Sequence, residues 1–437
     1  MKILHITSHL GGGIGKALSG LVEQAKISHP STEHKVVSLE KGIDRQFINK
    51  INKNKIPLYI GDRNGDVIEC PSKEQLKYIM ENVDIVQLEY FNNPVIFKYL
   101  CTMDIPPIRL LTWCHHNLLY NPIVPDKLIT NSYKFVYTSP CTFLEKHYGN
   151  MRGDFSYTGC VFSSGGFKDI PEPKDKIDKN EEISVGYIGS TNFSKMHPNY
   201  VDYIASVKTP NFRVKMIGDL HNQIILEQQC NYKGKSKILK FTGFVPDIVE
   251  ELKSINVLAY LLNPTHYGTT ENALLEAMSL QVVPIVLDNP PEKCIVKDNE
   301  TGFIVHNESE FAETIKYLSE NPKERQRIGK NASKFVRENF SVEKTEQQLN
   351  DYYQEVMTME KRKIDFKSIF GITPSEWFLS TQSNKDIFTG NISFKYFNPM
   401  LKYGLFEENK GSIFQFIRYF PEDKELKKWS NNINLLR

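Results

Sequence analysis

Short apolar runs alternate with amphipathic segments along this chain, and the series occurs twice. In the first half, residues 3–8, 34–38, 84–88, 108–113 and 135–138 read as strands, with helical periodicity at 16–26, 73–82 and 141–148. A second series has strands at 183–188, 213–217, 239–242, 257–262 and 283–287, interleaved with helices at 198–206, 248–253 and 272–280. A helix between two strands returns the chain to the sheet in the same direction, so the pattern predicts parallel, doubly wound α/β sheets. Two series predict two Rossmann-like domains, and 437 residues are more than one hydrophobic core usually serves.

Residues 168–176 and the charges after them lack apolar periodicity, which places a linker at 167–182 between an N-terminal domain, 1–166, and a second domain, 183–340. Helical segments continue at 309–321, 322–339 and 341–357, so that a terminal helix at 341–359 is free to cross back onto the first domain. Residues 360–437 form a C-terminal extension with 15 aromatics, about 19% against 11% for the whole chain, and a local charge of +4. Aromatics at that density point to a small packed subdomain rather than an exposed partner surface, and the role of this appendage is left open.

Charge excludes one class of function. The 54 Lys and Arg nearly cancel the 52 Asp and Glu, so the chain lacks the field that drives non-specific nucleic-acid binding. The seven cysteines, Cys70, Cys101, Cys114, Cys141, Cys160, Cys230 and Cys294, stand singly without zinc spacing, as expected of a reducing compartment. The opening run breaks at glycines after ten residues, too short for a signal-peptide core, and no stretch approaches the ~20 apolar residues that span a bilayer. A cytoplasmic protein is expected, with peripheral contact at the inner face of a membrane still open to it.

Three stretches could carry chemistry. Gly11-Gly12-Gly13-Ile14-Gly15-Lys16 lies between the first strand and first helix, where glycines allow close backbone approach and helix N–H groups suit phosphate. A tight turn explains it as well as a ligand does. Walker A would need Gly at Leu10 and Ser or Thr at Ala17, and the dinucleotide fingerprint would need Gly at Lys16, which disfavours a nicotinamide oxidoreductase. The second stretch runs from Asn263 to Ser279: Thr269 or Thr270 could cap a helix beginning near Glu271, its first turn including Asn272 could bind an anion, and Glu276 stands in an otherwise apolar helix. Glu276 is either a solvated carboxylate or an acceptor for ribose hydroxyls. The third is Thr112-Trp113-Cys114-His115-His116-Asn117, at the carboxyl end of a strand, where open sheets bind ligands. Either imidazole could hydrogen-bond a sugar or an acceptor hydroxyl, with His116 preferred. The Glu89-Tyr90-Phe91-Asn92 loop also ends a strand and reads as surface.

Taken in order, Val185-Gly186-Tyr187-Ile188-Gly189 with Lys195, Met216-Ile217-Gly218-Asp219, Phe241-Thr242-Gly243-Phe244-Val245, and Glu276 through Pro284-Ile285-Val286 to Gly302-Phe303-Ile304-Val305 resemble the donor-binding half of GT-B glycosyltransferases, glycosyltransferase family 4 in particular. The resemblance covers about residues 1–357 and is best over 183–340. It implies a GT-B fold of two Rossmann-like domains facing a cleft. It further implies metal-independent transfer of a sugar, with retention in the family's manner, from a nucleotide-diphosphate donor to a saccharide or lipid-linked glycan of bacterial polysaccharide synthesis. No cofactor or metal is implied; the nucleotide sugar is a substrate, with uridine preferred to guanosine. By the same resemblance Glu276 binds the ribose, Lys195 neutralises the diphosphate, Gly243, Phe244 and Val245 lie beside the nucleobase, and Gly12 and Gly13 approach the diphosphate or sugar. Three positions depart from the family pattern: Gly268 stands where its first glutamate would be, leaving Glu271 as a substitute; Tyr187 replaces an arginine; and Gln281 replaces a helix-ending glycine. A binding-only GT-B module and a sugar-nucleotide epimerase are the alternatives.

Overall fold

The computed structural model describes residues 1–40, 44–61, 73–154, 157–162, 165–173, 182–245, 248–390 and 400–435, with the side chains of 151–154 excepted. Cys70 and residues 174–181 of the linker assigned to 167–182 lie outside the described residues. The chain divides into two compact units, one comprising Met1–Gly166, Tyr267–Thr269 and Val342–Arg437, the other Phe167–His266 and Thr270–Ser341.

The first unit is built on seven parallel strands: β1 (Lys2–Thr7), β2 (Glu33–Ser38), β3 (Leu58–Ile60), β4 (Ile85–Tyr90), β5 (Leu110–Cys114), β6 (Lys134–Tyr137) and β7 (Thr158–Cys160). Their order is β3-β2-β1-β4-β5-β6-β7, so the winding reverses between β1 and β4. The second unit has six parallel strands: β8 (Val185–Gly189), β9 (Val214–Gly218), β10 (Leu239–Gly243), β11 (Val257–Tyr260), β12 (Val283–Leu287) and β13 (Phe303–Val305). Their order is β10-β9-β8-β11-β12-β13, reversing between β8 and β11. At such a reversal the helices on either side leave to opposite faces and open a crevice beyond the strands' carboxyl ends, where α/β sheets bind ligands.

Every position of β4 and β5 is buried, as both faces of a parallel sheet must be. One face is covered by the helix Gly12–Ser28 together with Val342–Met357, whose Leu349, Tyr353 and Val356 share a core with Leu18, Leu21 and Val22. The opposite face corrects the expectation of a separate C-terminal subdomain. Phe366, Phe370, Trp377, Phe378, Phe416 and Trp429 enter one continuous core with Tyr90, Val95, Phe97 and Leu100. Phe370 meets Phe97 edge-on with ring centres 5.0 Å apart, and Phe97 contacts Phe416 at 5.7 Å. The extension is a layer of the first unit.

Two local expectations are also corrected. The helix expected at 141–148 is a 3₁₀ turn, Pro140–Leu144, followed by the helix Lys146–Asp154. The strands β3, β7 and β13, of three residues each, are too short to show a period of two. Among the described residues the other six cysteines are free, and no helix is long and apolar enough to cross a membrane.

Candidate functional site

In the second unit the loops leaving β8 and β11, the two strands at the reversal, are tied together. Asn263 donates its backbone N–H to the Lys195 carbonyl at 2.7 Å and its side-chain amide to the Phe193 carbonyl at 2.8 Å. Its Oδ1 accepts from the Thr265 N–H at 2.8 Å, which turns the chain toward the helix Asn272–Ser279. Lys195 thereby faces Glu271, with Nζ 2.9 Å from Oε2.

Glu271 is the centre of a buried chain of charge. Its side chain is 4% exposed, the Tyr260 hydroxyl donates to Oε2 at 2.5 Å, and His266 Nδ1 lies 3.9 Å from Oε1. His266 in turn places Nε2 3.0 Å from Glu292, which is fully buried. Burial pushes the Glu271 carboxyl up, but the charges of Lys195 and His266 and the hydrogen bonds from Tyr260 and Lys195 outweigh it and hold the group at about 2. Burial likewise opposes charge on His266, and the Glu292 and Glu271 carboxylates outweigh it, raising its pKa above the usual value. Basic and acidic side chains therefore alternate along the chain, and Lys195 is its most exposed member, at 28%.

Thr269 and Thr270 are buried and neither caps the helix. The N-cap is Glu271, in a left-handed conformation at φ +26°, with no side-chain cap. That strained backbone turns the Glu271 side chain into the buried network, away from a capping position. Beyond it, Asn272, Ala273 and Glu276 form the partly exposed face, while Leu274, Leu275, Ala277 and Met278 are buried. Glu276 thus avoids the desolvation cost its apolar neighbours suggested. One turn earlier on the same face, the buried Oδ1 of Asn272 has no hydrogen-bond partner among the described residues.

Tyr187 fills the core at 0% exposure and donates its hydroxyl to the Ser190 carbonyl at 2.6 Å, so it brings no cation to this edge. Asp219 accepts from the Thr191 hydroxyl at 2.8 Å and the His221 N–H at 3.0 Å, linking the loops after β8 and β9. Gly218 is obligatory: at φ +140°, a Cβ there would lie 2.1 Å from the Gly189 carbonyl oxygen. At the end of β10, Gly243 has φ +74°, Phe244 is 77% exposed and Val245 is half-buried. An exposed Phe at a strand's carboxyl end offers a flat apolar face for stacking. His266, Glu292, Tyr260 and Asp219 were not singled out as site residues from sequence; of these, His266 and Asp219 lie in stretches with a visible signal.

In the first unit, Gly12 has φ +55°, open space beyond its Cα, and an N–H that donates to Asp44 at 2.9 Å; Gly13 beside it is exposed. Of the two histidines, His115 has an orienting carboxylate: its Nε2 lies 2.9 Å from Glu89 Oε2. Glu89 is completely buried, which corrects the reading of that loop as surface. Its other oxygen faces His5 at 3.3 Å and accepts from Gln87 at 2.6 Å. Burial pushes the Glu89 carboxyl up, and hydrogen bonds from His115 and His5 pull it below its usual range. His116 is buried under Phe91, with ring centres 4.6 Å apart, and Tyr267, at 5.7 Å. Burial, then the charges of His115 and Lys410, lower it to about 3, so it is neutral at pH 7. Among the described residues no group of three or more His, Cys, Asp or Glu could hold a metal ion.

Comparison with known proteins follows the same division. Residues 169–335 match the family model described as glycosyl transferases group 1. The chain is 27% identical over 142 residues to glycosyltransferase 1 domain-containing protein 1 of Xenopus tropicalis, covering 31% of this chain and 39% of that protein. It is 23% identical over 189 residues to EpsD of Bacillus subtilis, covering 42% and 49%. It therefore spans half or less of the length of these curated relatives. The Anabaena protein Alr3699/HepE, solved with UDP and glucose, superposes with a TM-score of 0.64 at 16% identity, covering 81% of this chain and 99% of that one. A glycosyltransferase from Rickettsia africae gives a TM-score of 0.63 at 17% identity, covering 82% and 98%. The chain has the GT-B fold, and its residues 169–335 match the family model of glycosyl transferases group 1.

Proposed function

We propose that this protein is a glycosyltransferase moving a sugar from a nucleotide-diphosphate donor to the hydroxyl of a saccharide or lipid-linked glycan. The reading is carried by one observation: the group 1 match spans Lys195, Glu271, Asn272 and Glu276, three of them on or beside the N-terminus of one helix at the reversal of the second sheet. Glu276 and the Asn272 carbonyl oxygen, one turn apart, accept the two ribose hydroxyls. Phe244 stacks on the nucleobase, with uridine the expected base. That the solved Anabaena relative holds UDP supports this preference.

Charge that develops on the leaving diphosphate is met without a metal. Lys195, held 2.9 Å from Glu271, turns toward the phosphate, and N–H groups in the first turn of the helix add their dipoles. Glu271 remains charged throughout, balanced by His266 and the Tyr260 hydroxyl. In the first unit, Glu89 accepts the Nε2 proton of His115 and so leaves Nδ1 as a lone-pair acceptor for a sugar or acceptor hydroxyl. No protein nucleophile is assigned; retention of configuration, with the leaving phosphate drawing off the acceptor proton, is the mechanism proposed.

Calorimetric titration of UDP, GDP, ADP and NAD tests the donor assignment. One nucleoside diphosphate is expected to bind, Glu276→Ala to weaken it about tenfold or more, and Lys195→Ala to lower turnover on the order of 10²–10³-fold while the protein stays folded. Binding of NAD alone, or full turnover in both variants, overturns the reading. Diphosphate binding with no transfer to any glycan favours the binding-only module.

A further inference from the structure

The carboxyl edge of the first sheet holds a group of polar side chains that the reading above does not use. Ser8 and His9 follow β1, Asn92 follows β4 and His116 follows β5, three neighbouring strands at the point where the winding reverses. Ser8 Oγ, His9 Nδ1, Asn92 Oδ1 and both ring nitrogens of His116 are buried with no hydrogen-bond partner among the described residues. Ser8, Asn92 and His116 are each 0% exposed. Unsatisfied polar groups are costly and few in a folded protein, and four such residues gathered at one sheet edge mark a place built to meet a ligand.

The C-terminal extension brings a cation to this edge. Gly411, at φ +79°, packs against Asn92 so closely that a Cβ would lie 2.4 Å from its amide nitrogen. This contact sets Lys410 over the Phe91 ring, 4.6 Å from its centre, and the opposite neighbour of Phe91 is His116. The charge of Lys410 reaches both His9 and His116: in each, burial comes first and Lys410 adds to it in disfavouring protonation. Glu40 accepts from Tyr419, also of the extension, and from Asn93 at 3.1 Å; Asp44 accepts from the Gly12 N–H. Lys410 and His9 are both partly exposed, so a ligand can reach them.

We infer that Lys410, with His9 and the polar groups beneath it, forms an anion-recognition site through which the C-terminal extension selects an acceptor bearing a phosphate or carboxylate. The ammonium meets the anionic group, and His9 and His116, kept neutral, donate or accept hydrogen bonds from the hydroxyls beside it. The assignment to an acceptor rests on the transferase reading; the anion site itself does not.

Ring-labelled histidine in the full chain provides the test, with the signals of His9 and His116 assigned through His9→Gln and His116→Gln. Inorganic phosphate and glucuronate are titrated separately, distinguishing a phosphate from a carboxylate source. At least one is expected to shift the His9 signal saturably, Lys410→Met to weaken that response about tenfold or more, and Lys410→Arg to retain it. No saturable shift with either anion, or an unchanged response in Lys410→Met, overturns the site. Loss of UDP affinity in Lys410→Met by the same factor reassigns Lys410 to the donor and overturns the acceptor role. Failure of wild type to bind any nucleoside diphosphate sinks the transferase reading instead, and leaves the anion response to be judged alone.

Discussion

The carboxyl edges of the two sheets solve the burial of charge in opposite ways. In the second unit, basic and acidic side chains alternate along Lys195, Glu271, His266 and Glu292, and the Glu271 carboxylate is matched by Lys195 at 2.9 Å. In the first, a single carboxylate, Glu89, is shared between His115 and His5, while desolvation keeps the buried His116 and the partly exposed His9 as neutral imidazoles. One edge balances an ionised carboxylate against a lysine, and the other keeps imidazoles neutral by burial. Their origins differ too. The second edge is assembled from loops within one stretch of chain, whereas the first needs Lys410, Gly411 and Tyr419 from the distant extension.

This contrast can be broken from either side. Removing a ring from the aromatic layer acts on the first unit alone: Phe416→Ala, at 0% exposure, should cost about 4 kcal/mol by leaving a cavity, read by urea unfolding. Nucleoside diphosphate binding below the unfolding transition should be unchanged; its loss would show that the two edges are not separable. Lys195→Met strands the ionised Glu271, and about 3 kcal/mol should be lost, with much of it regained in Lys195→Met/Glu271→Gln. Equal stability of the single and double variants would mean that the lysine is not what compensates the carboxylate.

The smallest effect is the most discriminating, because the two edges fail in different pH windows. His116 is held at about 3 when folded and titrates near 6.5 when unfolded, so the unfolded chain takes the proton first. Its contribution is complete above about pH 6.5 and lost as pH falls, by about 2 kcal/mol at pH 5. Glu271, at about 2 when folded, contributes above its ordinary value near 4.5 and fails only below it. Thermal midpoints between pH 7 and 5 should therefore fall in wild type and fall less steeply in His116→Leu, while Glu271→Gln leaves that slope unchanged. A slope insensitive to His116 would place the acid sensitivity elsewhere.

Much of the fold was legible from local pattern. Ten of the strands carry enough apolar residues to show where they lie, and their alternation with helices is sufficient for two doubly wound sheets. The edge strands β3, β7 and β13 escaped because three residues make no periodic signal. In the site, Lys195 and Glu271 were both visible as residues, yet nothing in their spacing of 76 positions announces a 2.9 Å ion pair. The threonines before Glu271 have the composition of a cap and do not act as one, since the backbone conformation of Glu271 takes that place. His115 and His116 look equivalent in sequence. Only their surroundings separate them, a carboxylate for one and aromatic rings for the other.

The sequence by itself determined the two α/β series, the glycines at the strand ends and the helix that bears Asn272 and Glu276. These follow from near-neighbour physics: the period of side chains along a strand or helix, and the φ values open only to glycine. Tertiary structure decided the ionisation of Glu271, the burial of Glu89, the partner of each histidine, and the placement of the extension's aromatics and of Lys410 on the first unit. Burial and charge depend on which groups meet across hundreds of residues, and a chain written in one dimension does not record those distances.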